Sequence, residues 1–192
     1  TGGTVLAEFY LKHRLSEDID LFCEDEEVDQ KLVEIFLTQS KKNLKIKEIK
    51  PSQFLGLFSY YLIFNDHESL KVDFNFYPFG RINKGAKYKN IEIDSIYDIA
   101  VNKVHTISMK SRARDYIDIY FIIKDKGYSF HELLMQAKAK FDWHIDHFQL
   151  GNQLLKAQDV KDYPRMLKKI DHQEWKQFFV DEAKKLKKDI FK

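Results

Sequence analysis

Asp18 and Asp20, near the start of the chain, have the residue type and the spacing of metal ligands. In a β-strand, residues i and i+2 point to the same face, about 6.5–7 Å apart along the chain. The two carboxylates therefore project together, while Ile19 between them turns toward the core. Because like charges repel, we expect a cation between them, and Mg²⁺ binds one or two carboxylates while substrate phosphates complete its shell. This pattern predicts a strand over Asp18–Cys23 that presents metal ligands.

A third carboxylate, Asp73, lies in a segment whose residues alternate between polar and apolar, which predicts a second strand. The polar face of this strand also carries Lys71 and Asn75. The opposite face carries Leu70, Val72, Phe74 and Phe76. A pair of metal ions held by carboxylates clamps the attacking and leaving oxygens of a phosphoryl transfer. We therefore expect Asp73 to join the two earlier carboxylates in one metal site.

A glycine turn, Gly2-Gly3-Thr4, opens the chain ahead of these carboxylates. Backbone N–H groups at a helix N-terminus, with no side chain in the way, bind phosphate groups. We predict a helix over residues 5–12 with Thr4 as its N-cap. Its inward-facing side chains are expected to be Leu6, Phe9 and Tyr10. The turn is a candidate binding site for the β- and γ-phosphates of a nucleotide.

Lys103 interrupts the apolar stripe of a helix that Asp94 or Ser95 is predicted to cap. The stripe consists of Ile96, Ile99, Ala100, Val104 and Ile107. A lysine in such a stripe must extend its ammonium to solvent or pair it with an anion, because an unpaired buried charge is costly. Two interpretations follow. Lys103 binds a nucleotide phosphate or the leaving pyrophosphate, or it forms a partly buried pair with an aspartate and has no chemical role.

The next predicted helix carries Asp115 and Asp118, which share one face because they are three residues apart. The rest of this helix is nearly all apolar, so its carboxylates need cationic partners. The nearest cations in the sequence are Lys103, Arg112 and Arg114. For Asp118, a structural role that holds two helices together is supported at least as well as a catalytic one.

Several strings within residues 1–123 together resemble one protein family. They are Gly2-Gly3-Thr4-Val5-Leu6-Ala7, His13-Arg14-Leu15-Ser16-Glu17-Asp18-Ile19-Asp20-Leu21-Phe22, Asp98-Ile99-Ala100-Val101-Asn102-Lys103 and Arg114-Asp115-Tyr116-Ile117-Asp118-Ile119-Tyr120. With Asp73 on its own strand, this set is similar to the AbiEii/AbiGii toxin family, the nucleotidyltransferase components of type IV toxin–antitoxin and abortive-infection systems. More widely, it resembles the nucleotidyltransferase superfamily that includes DNA polymerase β.

The resemblance implies a role for individual residues. The metal ligands are expected to be Asp18, Asp20 and Asp73. The same three residues, with Lys103 and Asp115, are expected to be catalytic. The residues expected to bind the nucleotide are Gly2, Gly3, Thr4, Arg14, Ser16, Lys103, Arg112 and Asp118. Family members usually have a helix and a strand before the glycine turn, so we expect either a longer protein or a shortened fold.

The resemblance also implies a cofactor and partners. We expect Mg²⁺ or Mn²⁺, a nucleoside triphosphate as substrate, an acceptor such as RNA (a tRNA 3′ end) or a protein hydroxyl, and a cognate antitoxin protein. Two alternatives stay open. The chain is a nucleotidyltransferase fold without turnover that binds nucleotide or protein, or it is a transferase that acts on a small molecule.

The elements that must position these residues alternate between helices and strands. Strands are predicted over residues 43–50, 54–64 and 70–77, with a hairpin turn at 65–68, and a helix over 29–42 with Leu32, Ile35 and Phe36 as its apolar stripe. This order predicts an α+β fold (an α/β mixed sheet) with a nucleotidyltransferase core, helices mainly on one face and a C-terminal helical lobe. We predict two domains, a core over 1–125 and a helical region over 126–192.

Composition is compatible with a cytoplasmic enzyme. The chain has 192 residues, is 44% hydrophobic and carries a net charge of only +2, but its charges are segregated. Residues 16–30 are acidic, whereas residues 41–50 and the last thirty residues are rich in lysine, which fits binding of RNA or triphosphate or simply solvated helix faces. The lone Cys23 favours a reducing compartment. With no signal peptide and no run of about eighteen apolar residues, we expect no membrane association.

Other kinds of site are not supported by the sequence. His144 and His147 are three residues apart, but no cysteine or third histidine lies near them in the sequence to complete a metal site. The chain has no Gly-x-Ser-x-Gly string for a serine hydrolase and no Walker string for a P-loop.

Overall fold

The computed structural model describes residues 1–54, 57–66 and 68–190. Its helices are α1 (Gly2–Val5), which continues as a π-helix over Leu6–Leu11, α2 (Gln30–Ser40), α3 (Ile96–Met109), α4 (Ala113–Lys126), α5 (Phe130–Phe141), α6 (His147–Leu155), which continues as a 3₁₀-helix over Lys156–Gln158, and α7 (His172–Ile190). Its strands are β1 (Asp18–Cys23), β2 (Ile46–Phe54), β3 (Leu57–Phe64), β4 (Ser69–Phe76), β5 (Lys87–Tyr88) and β6 (Ile91–Glu92). Leu55 and Gly56 in a predicted strand, His67 in the predicted turn and the last two residues of the predicted lobe lie outside the described residues.

The described residues form two compact units. The first comprises Thr1, Gly3 and Ser16–Gly80, and the second comprises Gly2, Thr4–Leu15 and the chain from Arg81 onward. The predicted α+β class with a mixed sheet is confirmed.

The first unit is built on a sheet with the strand order β1-β4-β3-β2 in the described residues. β1 runs parallel to β4, whereas β3 pairs antiparallel with both of its neighbours. Alternate residues of the strands pack against α2 and form a hydrophobic core of Val33, Leu37, Ile46, Tyr60, Leu62 and Val72. Because side chains alternate along a strand, the intervening polar residues occupy the opposite face of the sheet.

The second unit is a set of helices around one hydrophobic core. Tyr116 of α4 packs against Trp175 and Phe179 of α7, and all three side chains are fully buried. The backbone of residues 13–15 is tied to residues 165–168: Leu15 N donates to Arg165 O at 2.9 Å, and His13 O accepts from two of the later N–H groups. The predicted domain division at residues 125/126 stays a prediction, and the two sides of it share this core.

The start of the chain folds differently from the prediction. The helix begins at Gly2 rather than Val5, so Thr4 lies inside it instead of capping it. Its π-helical continuation places residues five apart in register. Leu6 and Leu11 therefore share the buried side, whereas Phe9, predicted to face inward, is 47% exposed.

The stripe predicted for α2 is also wrong. The helix begins after Asp29, whose carboxylate accepts from two backbone N–H groups of the first turn, and it buries Val33 and Leu37 against the sheet. The predicted stripe, Leu32, Ile35 and Phe36, is exposed. Two apolar stripes fit the 3.6-residue period, and only the sheet decides which of them is buried.

Two strand features differ from prediction as well. β2 begins at Ile46 rather than residue 43 and continues through Pro51, which is tolerated because β2 is an edge strand and no ladder partner needs the missing N–H. The short hairpin of β5 and β6 was not predicted.

Candidate active site

The predicted metal ligands of the first unit lie on the adjacent strands β1 and β4. Asp20 is directly opposite Asp73 in the parallel register, and Asp18 is directly opposite Lys71. Residues opposite each other on neighbouring strands point to the same face of a sheet. The polar face therefore carries all three carboxylates together with one lysine.

Electrostatic crowding marks Asp20 within this set. Burial raises the pKa of its carboxyl, and the neighbouring charge of Asp73 raises it further, with a smaller contribution from Asp18. Lys71 acts in the opposite sense without reversing the shift. The fold therefore holds Asp20 where a negative charge is unfavourable, and a bound cation would relieve that cost.

Lys71 partly neutralises the cluster. Its Nζ lies 2.5 Å from Asp73 Oδ2, and both side chains are largely shielded from solvent. Burial lowers the pKa of the Lys71 ammonium, but the hydrogen bond and the charge of Asp73 outweigh it, so the pKa is raised overall. The other oxygen, Asp73 Oδ1, is buried and has no hydrogen-bond partner among the described residues. A buried, unpartnered carboxylate oxygen beside a second carboxylate fits a divalent cation.

The three predicted metal ligands nevertheless do not converge on a common metal position. In residues 1–54, 57–66 and 68–190, no group of three or more Asp, Glu, His or Cys side chains is arranged to hold a metal ion. Asp20 and Asp73 lie directly opposite each other in the strand register. After burial, the charge of Asp73 is the main cause of the raised pKa of Asp20. Since Mg²⁺ commonly uses one or two protein carboxylates, this pair is sufficient for a site completed by substrate oxygens, and the three-carboxylate set stays a prediction.

A buried ionic network occupies the second unit. Lys103 Nζ of α3 lies 2.9 Å from Asp115 Oδ1 and 2.8 Å from Asp118 Oδ2, both on α4. Burial lowers the pKa of Lys103, but the charges of the two aspartates outweigh it, so the pKa is raised. Lys103 therefore pairs with both Asp115 and Asp118, as predicted.

Arg14 completes the network from the other side. Its Nε and Nη2 each donate to Asp118 at 2.7 Å in a bidentate pair, and its Nη1 donates to Leu15 O at 2.9 Å. His13 Nε2 lies 2.7 Å from the same carboxylate. Burial raises the pKa of Asp118, but Lys103, Arg14 and His13 together hold it far below its ordinary value. The triphosphate contact predicted for Arg14 stays a prediction and would compete with these bonds.

Asp115 links this network to the start of α4. Its Oδ2 accepts from the backbone N–H of Arg112 at 3.3 Å and from Arg112 Nε at 3.4 Å. Burial raises the pKa of Asp115, and the charge of Lys103 and its hydrogen bond more than reverse this, so the pKa is lowered. Asp115 therefore fixes both the lysine and the N-terminus of its own helix.

The remaining predicted nucleotide ligands lie near the starts of α1 and β1. Gly2 has a φ of +73°, a left-handed conformation that favours glycine. The Thr1 nitrogen, just ahead of the turn, donates to Asp20 O at 3.3 Å. Thr4 lies in α1, and Ser16 lies two residues before β1. Their contacts with a nucleotide stay predictions.

Comparison with known families bears on this arrangement. The model of the family described as "Nucleotidyl transferase AbiEii toxin, Type IV TA system" matches residues 1–187. The chain belongs to the AbiEii family. Its resemblance to that family, inferred from the motifs, is confirmed.

Solved structures similar to this AbiEii-family chain come from Helicobacter pylori. JHP933 has a TM-score of 0.61 and 18% identity, with 98% of this chain and 82% of that chain covered. A candidate nucleotidyltransferase from H. pylori has the same TM-score, identity and coverage of this chain, with 85% of its own chain covered. At this identity the likeness shows the fold alone. No curated protein matches. Among the described residues of this AbiEii-family chain, no helix has the length and apolarity needed to span a membrane.

Three residues that take part in these contacts were assigned no role from the sequence. Lys71 was placed on the polar face, although a lysine two residues before a strand carboxylate shares its face and can pair with it. His13 belongs to the same motif string as Arg14, but the string does not predict its burial. Asp98 accepts from Ile82 N at 2.8 Å and Asn83 N at 2.9 Å, and its spacing from the cap Ser95 could have predicted a helix cap but not this bond to a loop.

Proposed function

We propose that this AbiEii-family chain is a divalent-metal-dependent nucleotidyltransferase. It would move a nucleoside monophosphate from a nucleoside triphosphate to a hydroxyl of RNA, such as a tRNA 3′ end, or of a protein, and so arrest growth as the toxin of a type IV pair. The observation that supports this most is the register match of Asp20 with Asp73, which places two carboxylates side by side on one face of the sheet.

Asp20 and Asp73 are the residues that would hold the metal, with Asp18 on the same face as the third carboxylate. Mg²⁺ or Mn²⁺, when bound, would lower the pKa of the acceptor hydroxyl and neutralise the transferred phosphoryl group. The chain's own contribution is to hold two carboxylates side by side in a partly buried place, where a cation is favoured over water.

Asp73 Oδ1 is the atom to which we assign the acceptor's proton. It is buried, carries no hydrogen bond among the described residues, and belongs to a carboxylate whose other oxygen Lys71 already engages. A base must lie within hydrogen-bond reach of the proton that it takes. A carboxylate oxygen has two lone pairs, so Oδ1 would accept the proton through one of them and face the cation with the other.

We assign Lys103 to a phosphate oxygen of the nucleotide, which would accept from the one N–H group that the two aspartates do not engage. An ammonium has three N–H donors, and the contacts with Asp115 and Asp118 account for two of them. The two carboxylates would then act as positioning residues that keep the lysine charged and fix its direction.

The direct test is nucleotide transfer. Purified protein is incubated with labelled nucleoside triphosphates, Mg²⁺ and total RNA, and label is followed on RNA and on protein. We expect Asp20→Asn to abolish transfer, while Asp25→Asn, which removes an exposed carboxylate of the same unit, retains it. Equal labelling by the wild type and Asp20→Asn would refute the proposal.

The ion pair of Lys71 with Asp73 favours a second candidate, a nucleotide-binding module without turnover. In this second candidate, the Lys71 ammonium occupies the place of the metal ion beside Asp73. Calorimetry distinguishes the two, because the module would bind nucleoside triphosphate without releasing pyrophosphate in the presence of any cellular extract.

A further inference from the structure

Helix α2 carries an apolar stripe on its outer side. Leu32, Ile35 and Phe36 are 64%, 52% and 55% exposed, although the same helix buries Val33 and Leu37 against the sheet. Residues three and four apart are neighbours on a helix surface, so the three exposed side chains form one continuous patch. Single exposed apolar residues are ordinary, whereas a contiguous patch on a helix marks an interaction surface.

The charges that flank this stripe have opposite signs at the two ends. Ahead of α2 lie the exposed acidic residues Asp25, Glu26 and Glu27, and after it lie the exposed lysines Lys41, Lys42 and Lys45. On the helix itself, the exposed charges of Lys31 and Glu34 offset each other. Ile35 stands at the midpoint of the helix, five residues from either end. The segment before the stripe is therefore net acidic, and the segment after it is net basic.

Such a surface is complementary to a second copy of itself. When two helices of this kind pack antiparallel about a two-fold axis near Ile35, each acidic end faces the lysines of the other copy and the apolar stripes meet in the middle. Symmetric dimers use this self-complementary contact, in which the same patch serves both subunits. A partner of uniform charge would match one end and repel the other.

We propose that α2 is the contact of an antiparallel homodimer of this chain, with Leu32, Ile35 and Phe36 at its centre and the two charged segments at its rim. Aromatic and aliphatic anchors at the centre supply the affinity, and the rim charges set the orientation. The contact is short, so association belongs to the weak class and is measured at high protein concentration. The proposal does not depend on the proposed function, because it concerns a different face of the first unit.

Sedimentation equilibrium of the full chain tests the apolar centre. We expect the wild type to dimerise and Ile35→Asp to weaken the dimer by about 30-fold or more, the size of a central hot-spot loss. Phe148→Asp, which changes an exposed apolar side chain on α6 (69% exposed against 52% for Ile35), is the control and should leave the dimer constant unchanged. Circular dichroism verifies that both variants are folded.

Charge reversal tests the orientation. Asp25→Lys, Glu26→Lys and Glu27→Lys together make both ends of the surface basic, and Lys41→Glu, Lys42→Glu and Lys45→Glu together make both ends acidic. Each triple variant alone should lose the dimer because its own ends repel, whereas an equimolar mixture of the two should restore a 1:1 dimer. A monomeric wild type, an Ile35→Asp dimer as tight as the wild type, or a mixture that stays monomeric would each overturn the proposal.

Discussion

Asp118 is the residue whose removal should most destabilise the second unit. Its carboxylate accepts from Arg14 and His13 and pairs with Lys103, and it is fully buried. Asp118→Asn keeps the shape but leaves the guanidinium and the ammonium facing a neutral amide, one end of which is itself a donor. Breaking a buried ion pair in this way costs about 3–5 kcal/mol, out of the roughly 5–15 kcal/mol that stabilises a typical domain.

Equilibrium unfolding in urea, followed by the fluorescence of the buried Trp175, measures this loss in the unit concerned. For a chain of this size the expected fall in melting temperature is roughly 6–20 °C. Asp125→Asn is the matched control, because Asp125 lies on the same helix and pairs with Lys126 at the surface, where an ion pair contributes about 0–1 kcal/mol. A loss in Asp118→Asn no larger than in Asp125→Asn would refute the account of the buried network.

Three further predictions follow from the charges. The folded state raises the pKa of Asp20, so its ionised form is unfavourable at neutral pH, and Asp20→Asn should raise the melting temperature of the metal-free protein in calorimetry. Lys71→Met should tighten Mn²⁺ binding roughly threefold to tenfold by removing a competing cation, whereas Lys50→Met, on the exposed edge strand, should not. The pKa of Asp118 is lowered in the folded state. The stability that this carboxylate contributes is therefore present above its unfolded pKa of about 3.9 and is lost as the pH falls below that value. Acid titration should show a smaller loss of stability in Asp118→Asn than in the wild type.

The two strands that carry the predicted metal ligands, β1 and β4, were predicted well from the sequence. β1 has the predicted bounds, Asp18–Cys23, because its polar and apolar positions leave one register in which the core face is apolar. The cap at Ser95 and the burial of Lys103 in the stripe of α3 also follow from local pattern. Each of these features depends on residues that are close together in the sequence, so a local pattern is enough to predict it.

Features decided by distant parts of the chain were predicted poorly. The outward stripe of α2 and the inward one fit the helix period equally, and the choice is made by strand residues such as Tyr60 and Val72. His13 is buried because α4 and residues 165–168 close over it. Each of these is a long-range contact that no local window contains.

The central claim, that Asp20 and Asp73 together hold a divalent cation, is tested most directly by Mn²⁺ binding. Electron paramagnetic resonance of free Mn²⁺, titrated with wild type, Asp20→Asn and Asp25→Asn, gives the three affinities without reference to any acceptor. We expect the wild type and Asp25→Asn to bind alike and Asp20→Asn to bind at least about tenfold more weakly, the loss of one charged ligand. Equal Mn²⁺ affinity in all three proteins would contradict the claim.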